Sequence, residues 1–198
     1  MKRIDALRVL AELTADLPLV VTLAATSREL AAVADRPNHL YLLDSMGLVP
    51  SVATGLSLAI EGSPVSRLIA LEGDGSLLMN FGSLATIGFL QPERLVLVVL
   101  DNGVYASTAD IPTYTQVLDL APVASAIGLT TWTAVDGETL RTAMRQVLAE
   151  PGPHFVHVRI EPGNAPRTPL LLADPVVLAA RFEAWLTRAM GAGGPQNA

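Results

Sequence analysis

The chain has 198 residues, enough for one domain with a sizeable core, and its composition excludes several classes of protein. It contains no cysteine, so disulfides and thiolate chemistry are excluded, and its formal net charge of −6 argues against a nucleic-acid partner. Because 51% of the residues are apolar, we expect part of the surface to be buried against other chains. No apolar run reaches the ~20 residues of a membrane span and no secretion signal is recognisable, so we expect a cytoplasmic protein.

Apolar periodicity predicts helices and strands that alternate along the chain. In the first half we expect a helix over residues 3–15, a strand over 19–23, a helix opened by a capping box at Thr26-Ser27-Arg28-Glu29, a strand over 40–43, a helix over 52–59, a strand over 67–71 and a helix over 76–90. In the second half we expect a strand over 95–100, a loop over 102–116, a helix over 119–127, a strand over 130–135, a helix over 138–149, a strand over 154–160 and a helix over 174–190. Residues 191–198 are predicted to be a disordered tail.

This alternation predicts an α/β fold: a doubly wound, mostly parallel six-stranded sheet with helices on both faces. Residues 1–190 should form a single domain, because no internal repeat, low-complexity block or linker divides them. In such sheets, ligands bind beyond the carboxyl ends of the strands, where the crossover direction reverses. Polar residues that follow strands are therefore the candidates for a functional site.

The segment Gly73-Asp74-Gly75-Ser76 places a carboxylate between two glycines at the end of a predicted strand. Glycines let a ligand approach the main chain, and free N–H groups at the start of the following helix favour a phosphate. A carboxylate at the same place would repel a phosphate unless a cation lay between them. Magnesium is the natural bridge, since it binds a few protein oxygens together with phosphate oxygens.

A second oxygen ligand is expected at the end of another strand, and Asn102 follows the next predicted strand along the chain. Asp-Gly and Asn-Gly are each common turn signals, so either dipeptide alone would favour an ordinary turn. Their occurrence after two successive strands favours the metal site instead.

Gly73-Asp74-Gly75 followed by Asn102 resembles the signature of thiamine-diphosphate enzymes. In that family the aspartate, the asparagine and a main-chain carbonyl two residues later hold Mg²⁺. The resemblance therefore implies thiamine diphosphate and Mg²⁺ as cofactors, with Asp74, Asn102 and the carbonyl of Val104 as the metal ligands. It also implies that the cofactor site includes Gly73, Gly75, Ser76 and Tyr105.

The turn Asp44-Ser45-Met46-Gly47 lies where the decarboxylase branch of this family has a Gly-Ser-(large apolar)-Gly turn beneath the cofactor. The resemblance implies that Met46 wedges between the two cofactor rings, that Asp44 contributes its carbonyl, and that Ser45 belongs to the same binding turn. A buried core methionine is the alternative. Asp44 departs from the family pattern, because it replaces a glycine.

Over nearly its whole length the chain is similar to the beta subunits of sulfopyruvate decarboxylases and to the matching half of phosphonopyruvate decarboxylases. The resemblance implies a carboxy-lyase that removes CO2 from an anionic 2-oxoacid and releases an aldehyde. It is carried by Ser27-Arg28-Glu29-Leu30, Asp35-Arg36-Pro37, Ser45-Met46-Gly47-Leu48, residues 73–80, residues 82–86 and Asp101-Asn102-Gly103-Val104-Tyr105.

Most thiamine enzymes of this type carry a second domain, which binds the aminopyrimidine ring and supplies the activating glutamate. This chain resembles only the diphosphate-binding domain. The resemblance therefore implies a separate alpha subunit in a hetero-oligomer of dimers. Because that subunit would carry the activating glutamate, no catalytic residue is assigned to this chain.

The loop that follows Asn102 is expected to cover the cofactor. Tyr105, Ser107 and Thr108 are candidates for contact with the substrate, although loop hydrogen bonding is their alternative role. Departures from the relatives fall in the same loop, where two glycines have become alanine and a polar residue has become isoleucine: Ala106, Ala109 and Ile111.

Two other functions remain open at this stage. A carboligase would join the decarboxylated unit to a second carbonyl compound, whereas a regulatory subunit would bind thiamine without catalysis. A plain nucleotide-binding domain is disfavoured, because neither G-x-G-x-x-G nor G-x-x-x-x-G-K-[ST] occurs.

Four further polar residues receive structural interpretations. His39 is expected at the surface, and Arg28 is expected to be a solvated arginine at a helix start that could reach an anion. His154 and His157 are three positions apart in a predicted strand, so their side chains should lie on opposite faces and share no metal.

Overall fold

In the computed structural model, which describes residues 1–191, a six-stranded parallel sheet forms the centre of the molecule. Its strands, in the order β2-β1-β3-β4-β8-β7, are β1 (Leu19–Val21), β2 (His39–Tyr41), β3 (Leu68–Gly73), β4 (Leu95–Asp101), β7 (Thr130–Ala134) and β8 (His154–Arg159). Two further strands, β5 (Val104–Tyr105) and β6 (Ile111–Pro112), form an antiparallel hairpin. The predicted fold class is confirmed.

Within residues 1–191, eight α-helices connect or flank these strands. They are α1 (Arg3–Leu13), α2 (Ala25–Ala34), α3 (Val49–Ala59), α4 (Asp74–Met79), α5 (Ser83–Leu90), α6 (Leu120–Ala126), α7 (Gly137–Ala149) and α8 (Pro175–Gly191), with a 3-10 helix at Tyr114–Gln116. None of the helices in the described part of the chain combines the length and the apolar character that crossing a bilayer requires.

The sheet separates two apolar cores. Side chains of β4 alternate between them: Val96 and Val98 face a core built with α1, α2 and α7, whereas Leu97 and Val99 face a core built with α3, α4, α5 and α6. All seven residues of β4 are buried, as expected for a central parallel strand. Helix α8 packs against the edge strand β2 and contributes to both cores.

The strand order places a topological switch point between β1 and β3. From β1 the chain crosses outward to β2 and then returns to β3 on the other side of β1, so the loops after β1 and β3 diverge at this edge. The register of β3 and β4 then brings the candidate metal ligands Asp74 and Asn102 close together, because Gly73 of β3 pairs with Leu100 of β4. The crevice at such a point is where open α/β sheets bind ligands.

Two helix predictions need correction. The capping box at Thr26–Glu29 is wrong, because α2 begins at Ala25 and Glu29 forms a buried ion pair with Arg3 instead, with 3.0 Å between Oε1 and Nη1. The single helix over residues 76–90 is also wrong. It is interrupted after Met79, where the Asn80 side chain turns back to donate a hydrogen bond to the Gly47 carbonyl at 2.8 Å.

The predicted loop over 102–116 contains more regular structure than expected, namely the β5–β6 hairpin and the 3-10 helix. The last helix extends through Gly191. The remainder of the predicted tail, residues 192–198, lies outside the described residues.

Candidate cofactor site

A cavity of about 160 Å³ opens at the switch point, at the carboxyl ends of β1, β3 and β4. Its walls come from the loop after β1, the β3–α4 junction and the loop after β4. The lining comprises residues 22–26, 73–76 and 104–107, together with Arg3, Arg28, Met46, Leu100, Asn102 and Asn164.

Asp74 and Asn102 lie together in this cavity, as their places after neighbouring strands predict. The backbone N–H of Asn102 donates a long hydrogen bond to Asp74 Oδ1, with 3.4 Å between nitrogen and oxygen. The other carboxylate oxygen, Oδ2, accepts a hydrogen bond from the Thr113 hydroxyl at 2.7 Å and a longer one from the Thr115 hydroxyl at 3.3 Å. Asp74 is therefore anchored through Oδ2, and Oδ1 is the oxygen with capacity for another ligand.

The threonine hydroxyls continue from Asp74 to a second buried acid. Thr113 and Thr115 hydroxyl oxygens are 2.8 Å apart, and Thr115 lies 2.9 Å from Asp101 Oδ1. Three contacts shorter than 3.0 Å, Asp74–Thr113, Thr113–Thr115 and Thr115–Asp101, thus have only the two threonine hydroxyl protons between them. A proton on Asp74 would supply the third, giving a chain of donors from Asp74 through both threonines to Asp101.

The two acids have opposite pKa shifts. Burial raises the pKa of Asp74, and the nearby Asp101 charge acts in the same direction, whereas the hydrogen bond from Thr113 opposes them. Burial would also raise the pKa of Asp101, but hydrogen bonds from His157 and Thr115 outweigh it and hold that pKa below its ordinary value. A bound divalent cation would favour ionised Asp74.

His157 supports Asp101 from the neighbouring strand. Its Nε2 lies 2.7 Å from Asp101 Oδ2, and its Nδ1 lies 3.5 Å from an Asp119 carboxylate oxygen. His154 lies on the opposite face of β8, as predicted, and its Nε2 contacts the Glu150 carbonyl at 2.9 Å. Within residues 1–191 the two histidines share no hydrogen-bond partner.

The turn that carries Met46 is fixed to the start and the end of α4. The Gly47 N–H donates to Ser76 Oγ at 2.8 Å, and the Gly47 carbonyl accepts from Asn80. Gly47 has a φ of +78°, and a Cβ there would lie 2.6 Å from the Asn80 Cβ. Met46 is 36% exposed and lines the cavity, which disfavours the alternative of a core methionine.

The two glycines around Asp74 have different environments. A Cβ on Gly75 would lie 2.5 Å from the Tyr105 ring, so that glycine allows Tyr105 to pack against α4. Gly73 has open space around it and an extended backbone, with φ −100°. Close approach of a ligand to the main chain is therefore possible at Gly73, whereas Tyr105 covers Gly75.

Most of the predicted site residues meet at this cavity. Those that line it are Met46, Gly73, Asp74, Gly75, Ser76, Asn102, Val104, Tyr105 and Ser107. Asp44, Ser45 and Thr108 do not; Asp44 borders a neighbouring cavity of about 370 Å³, and the Thr108 hydroxyl donates to the Tyr105 carbonyl at 3.0 Å.

The hairpin tip after Tyr105 has a strained backbone. Ala109 and Asp110 adopt left-handed φ values of 58° and 57°, a conformation that glycine adopts more readily. The family resemblance predicts a glycine at the position of Ala109. The backbone conformation there is thus one that a glycine would accept without strain.

Several residues in or beside the cavity are not indicated by the sequence pattern. Thr22 and Ala24 follow β1, and Ala24 is a non-glycine residue with φ 62° and ψ −126°. Glu72 is fully buried beside the site; its Oε1 accepts from the Gly73 N–H at 2.9 Å, and burial raises its pKa. Thr113 and Thr115 had no signal beyond their place in a polar loop.

Comparison with known proteins agrees with this geometry. The family model of the thiamine pyrophosphate enzyme C-terminal TPP-binding domain matches residues 25–158. The chain is 37% identical to the sulfopyruvate decarboxylase subunit beta of Methanothermobacter thermautotrophicus, over 92% of this chain and 94% of that one. It is 40% identical to the phosphonopyruvate decarboxylase of Streptomyces viridochromogenes, over 93% of this chain and 46% of that protein.

Solved structures show the same fold at low sequence identity. The benzoylformate decarboxylase of Polynucleobacter necessarius superimposes with a TM-score of 0.69 and 21% identity, over 81% of this chain and 33% of that one. The 4-hydroxybenzoylformate decarboxylase of Rhodococcus jostii gives a TM-score of 0.69 and 19% identity, over 83% and 33%. The chain belongs to the thiamine pyrophosphate enzyme family and contains its C-terminal, TPP-binding domain.

Proposed function

We propose that this chain is the diphosphate-binding beta subunit of a split thiamine-diphosphate- and Mg²⁺-dependent decarboxylase. Its substrate is an anionic 2-oxoacid of the sulfopyruvate or phosphonopyruvate type, and its products are CO2 and an aldehyde. The observation that carries this proposal is the match, almost from end to end, to a protein that is itself named a decarboxylase beta subunit.

The residues of the cavity suit a magnesium diphosphate group. Asp74 offers a carboxylate oxygen that has only one long hydrogen bond, and Asn102 and the Val104 carbonyl offer neutral oxygens on the adjoining loop. Mg²⁺ prefers such hard oxygen ligands and completes its shell with phosphate and water. In this proposal Asp74, Asn102 and Val104 hold the ion, while Gly73 and Ser76 lie against the phosphates.

When bound, thiamine diphosphate would supply a carbon nucleophile and an electron sink for the electron pair that the departing CO2 leaves on the substrate. This chain binds and orients that group. Met46 would support the two rings of the cofactor, since its side chain lines the cavity and its turn is fixed through Gly47. Asp74 and Asn102 bind the metal and move no proton of the substrate. Tyr105 and Ser107, which also line the cavity, are the proposed substrate contacts.

A separate alpha subunit is proposed to complete the site with the activating glutamate. Apolar side chains near the cavity support a protein partner, because Met79 is 62% exposed and Ile111 is 56% exposed. Met46 and Leu48, on the turn beside the cavity, are also partly exposed. We propose a hetero-oligomer in the cytoplasm.

The test is to isolate the tagged chain with the proteins that bind it in its source cells and to measure CO2 release. The complex is supplied with thiamine diphosphate and Mg²⁺ and is offered sulfopyruvate, phosphonopyruvate and pyruvate in turn. We expect CO2 and an aldehyde from an anionic 2-oxoacid, and no turnover without Mg²⁺.

Other products would overturn the proposal. A longer hydroxyketone formed when an acceptor aldehyde is added would identify a carboligase. Tight cofactor binding without CO2 release from any of the three acids would identify a regulatory subunit. Ala109→Gly is a useful companion variant, because recovery of turnover in it would attribute inactivity to the strained hairpin.

A further inference from the structure

Arg28 borders the cofactor cavity with a charge that has no partner. Its side chain is half-buried, and within residues 1–191 it forms neither an ion pair nor a side-chain hydrogen bond. The other cation of the cavity wall, Arg3, is already engaged: its Nη1 lies 3.0 Å from Glu29 Oε1 and 2.9 Å from Asn164 Oδ1. Arg28 is therefore the lining cation that can take a ligand.

The place of Arg28 in the fold directs it to the outer rim of the cavity. It lies in the first turn of α2, which begins directly after the loop that follows β1. Side chains on a helix incline toward its N-terminus, so a long arginine there extends to the edge where the strands end. Arg28 also borders two neighbouring cavities, of about 180 and 370 Å³, which places it on the ridge between them.

The charges around this rim leave Arg28 available to an anionic ligand. Arg167 and Glu29 border the smaller neighbouring cavity together with Arg28, but Glu29 is already paired with Arg3. Asp44, across the larger cavity, forms no ion pair with Arg28 in the described part of the chain. Leaving a half-buried guanidinium without an acceptor costs free energy, which an incoming anion would recover.

We infer that Arg28 binds the distal anionic group of the substrate and thereby selects a doubly charged 2-oxoacid over pyruvate. This inference rests on the proposed function, whose substrates carry a sulfonate or phosphonate besides the carboxylate that leaves as CO2. The distal group keeps its charge throughout the reaction and enters an acidic chain, so it needs a fixed cation. The planar guanidinium matches a tetrahedral oxyanion with two parallel hydrogen bonds, and the Ser107 hydroxyl lines the same cavity as a further donor.

The diphosphate group of the cofactor is the competing ligand for Arg28. The candidate metal ligands Asp74 and Asn102 lie at the ends of the central strands, whereas Arg28 lies on a helix beside the sheet. A magnesium-bound diphosphate would therefore meet its counter-charge at the strands. The test separates the two ligands by measuring cofactor binding in the same variants.

The experiment compares Arg28→Gln, Arg28→Lys and the matched control Arg145→Gln in the complex with the partner subunit. Arg145 is exposed on α7 and lines none of these cavities, so its substitution removes the same charge elsewhere. Three quantities are measured: the ratio of kcat/KM for sulfopyruvate to that for pyruvate, the Kd of unreactive 3-sulfopropanoate by calorimetry, and the Kd of thiamine diphosphate.

We expect Arg28→Gln to lower the selectivity ratio and to weaken 3-sulfopropanoate binding by roughly 10- to 100-fold, as for loss of a charge-assisted pair. Arg28→Lys should fall between wild type and Arg28→Gln, because it keeps the charge and loses the paired geometry. The cofactor Kd should stay at the wild-type value, and Arg145→Gln should match wild type throughout.

Three results would overturn the inference. A raised cofactor Kd in Arg28→Gln would assign the guanidinium to the diphosphate. An unchanged selectivity ratio, or equal 3-sulfopropanoate binding by wild type and Arg28→Gln, would remove any role for Arg28 in choosing the substrate. If the wild-type complex releases no CO2, the proposed function fails, while the binding measurement still decides for or against Arg28.

Discussion

Two polar clusters in this protein have similar residues and different surroundings. The cavity cluster, at the ends of β3 and β4, consists of Asp74, Asp101, Thr113, Thr115 and His157. The edge cluster, between β2 and α8, consists of Asp35, His39, Tyr41 and Arg181. Each contains a carboxylate, a hydroxyl and a histidine linked by hydrogen bonds.

In the edge cluster, protein groups engage both oxygens of the Asp35 carboxylate. Arg181 donates to both Asp35 oxygens at 2.8 Å, and the Tyr41 hydroxyl donates to Asp35 at 3.2 Å. The Tyr41 hydroxyl has one proton, which it donates to Asp35. In the 3.1 Å contact between the Tyr41 oxygen and His39 Nδ1, the donor is therefore the Nδ1–H of His39. The other ring nitrogen of His39, Nε2, is then an acceptor without a partner in the described residues. These contacts tie α8 to the sheet.

The cavity cluster is anchored on one side only. Asp74 is fixed through Oδ2, while Oδ1 keeps capacity for a ligand. Burial raises the pKa of Asp74, so its ionisation costs more than that of a solvent-exposed aspartate. The comparison teaches that a hydrogen-bonded set of carboxylate, hydroxyl and histidine does not by itself distinguish a binding site from a structural network. The distinguishing feature is a carboxylate oxygen that lines a cavity and that the protein itself leaves incompletely used.

The largest expected effect follows from Asp74→Asn. We expect Mg²⁺-dependent binding of thiamine diphosphate to weaken more than about 100-fold, beyond the loss usual for residues that only support a metal ligand. The cofactor-free variant should unfold at a higher temperature than wild type, because a buried carboxylate near Asp101 is removed. Calorimetry and thermal unfolding measure the two effects.

The control for that variant is Asp16→Asn, which removes an exposed carboxylate distant from the cavity. It should leave cofactor affinity and unfolding temperature unchanged. Wild-type cofactor affinity in Asp74→Asn would contradict the assignment of Asp74 as a metal ligand.

The edge cluster predicts an intermediate effect, on stability and with a defined pH dependence. Burial, aided by the charge of Arg36, lowers the pKa of His39 to about 4. His39 therefore binds a proton near pH 6.5 in the unfolded chain but only near pH 4 in the folded chain. The free energy of unfolding consequently falls as the pH decreases through this window. Between pH 7 and pH 5 we expect His39 to account for a loss of about 2 kcal/mol.

Urea unfolding of wild type and His39→Gln at both pH values tests this prediction. His154 also has a pKa lowered by burial, so wild type minus variant isolates the contribution of His39. An equal pH dependence in the two proteins would refute it. Cofactor affinity should be insensitive to the substitution, in contrast to changes in the cavity cluster.

The smallest expected effect is that of Thr113→Val, which removes the 2.7 Å hydrogen bond to Asp74 while keeping the shape of the side chain. Because Thr113 acts through Asp74, we expect the Kd of the magnesium cofactor to rise about 10-fold, at the lower end for groups that support a metal ligand. Thr130→Val, on the exposed face of β7, is the matched control. A Kd equal in Thr113→Val and wild type would show that Asp74 needs no support from Thr113.

Much of the fold could be predicted from periodicity, because a buried parallel strand such as β4 is a continuous apolar run. The proximity of Asp74 and Asn102 could also be predicted, since residues after neighbouring parallel strands share one edge of the sheet. These two predictions need only local pattern and general topology.

Long-range polar contacts could not be predicted in this way. Glu29 has the right spacing for a capping box, but Arg3, distant in sequence, engages its carboxylate. His39 was expected at the surface and is fully buried, because Tyr41 and the covering helix α8 provide a polar environment that no local pattern indicates. Thr113 reaches Asp74 only after the β5–β6 hairpin has returned the chain to the cavity.

The double attachment of Gly47 has a consequence for assembly. Ser76 holds its N–H and Asn80 holds its carbonyl, so the Met46 turn and the helix that starts at Asp74 move as one rigid body. A subunit that docks on the turn would thus restrict the metal-binding end of that helix. Cofactor binding should then strengthen subunit association, and subunit association should strengthen cofactor binding by the same free energy, as thermodynamic linkage requires.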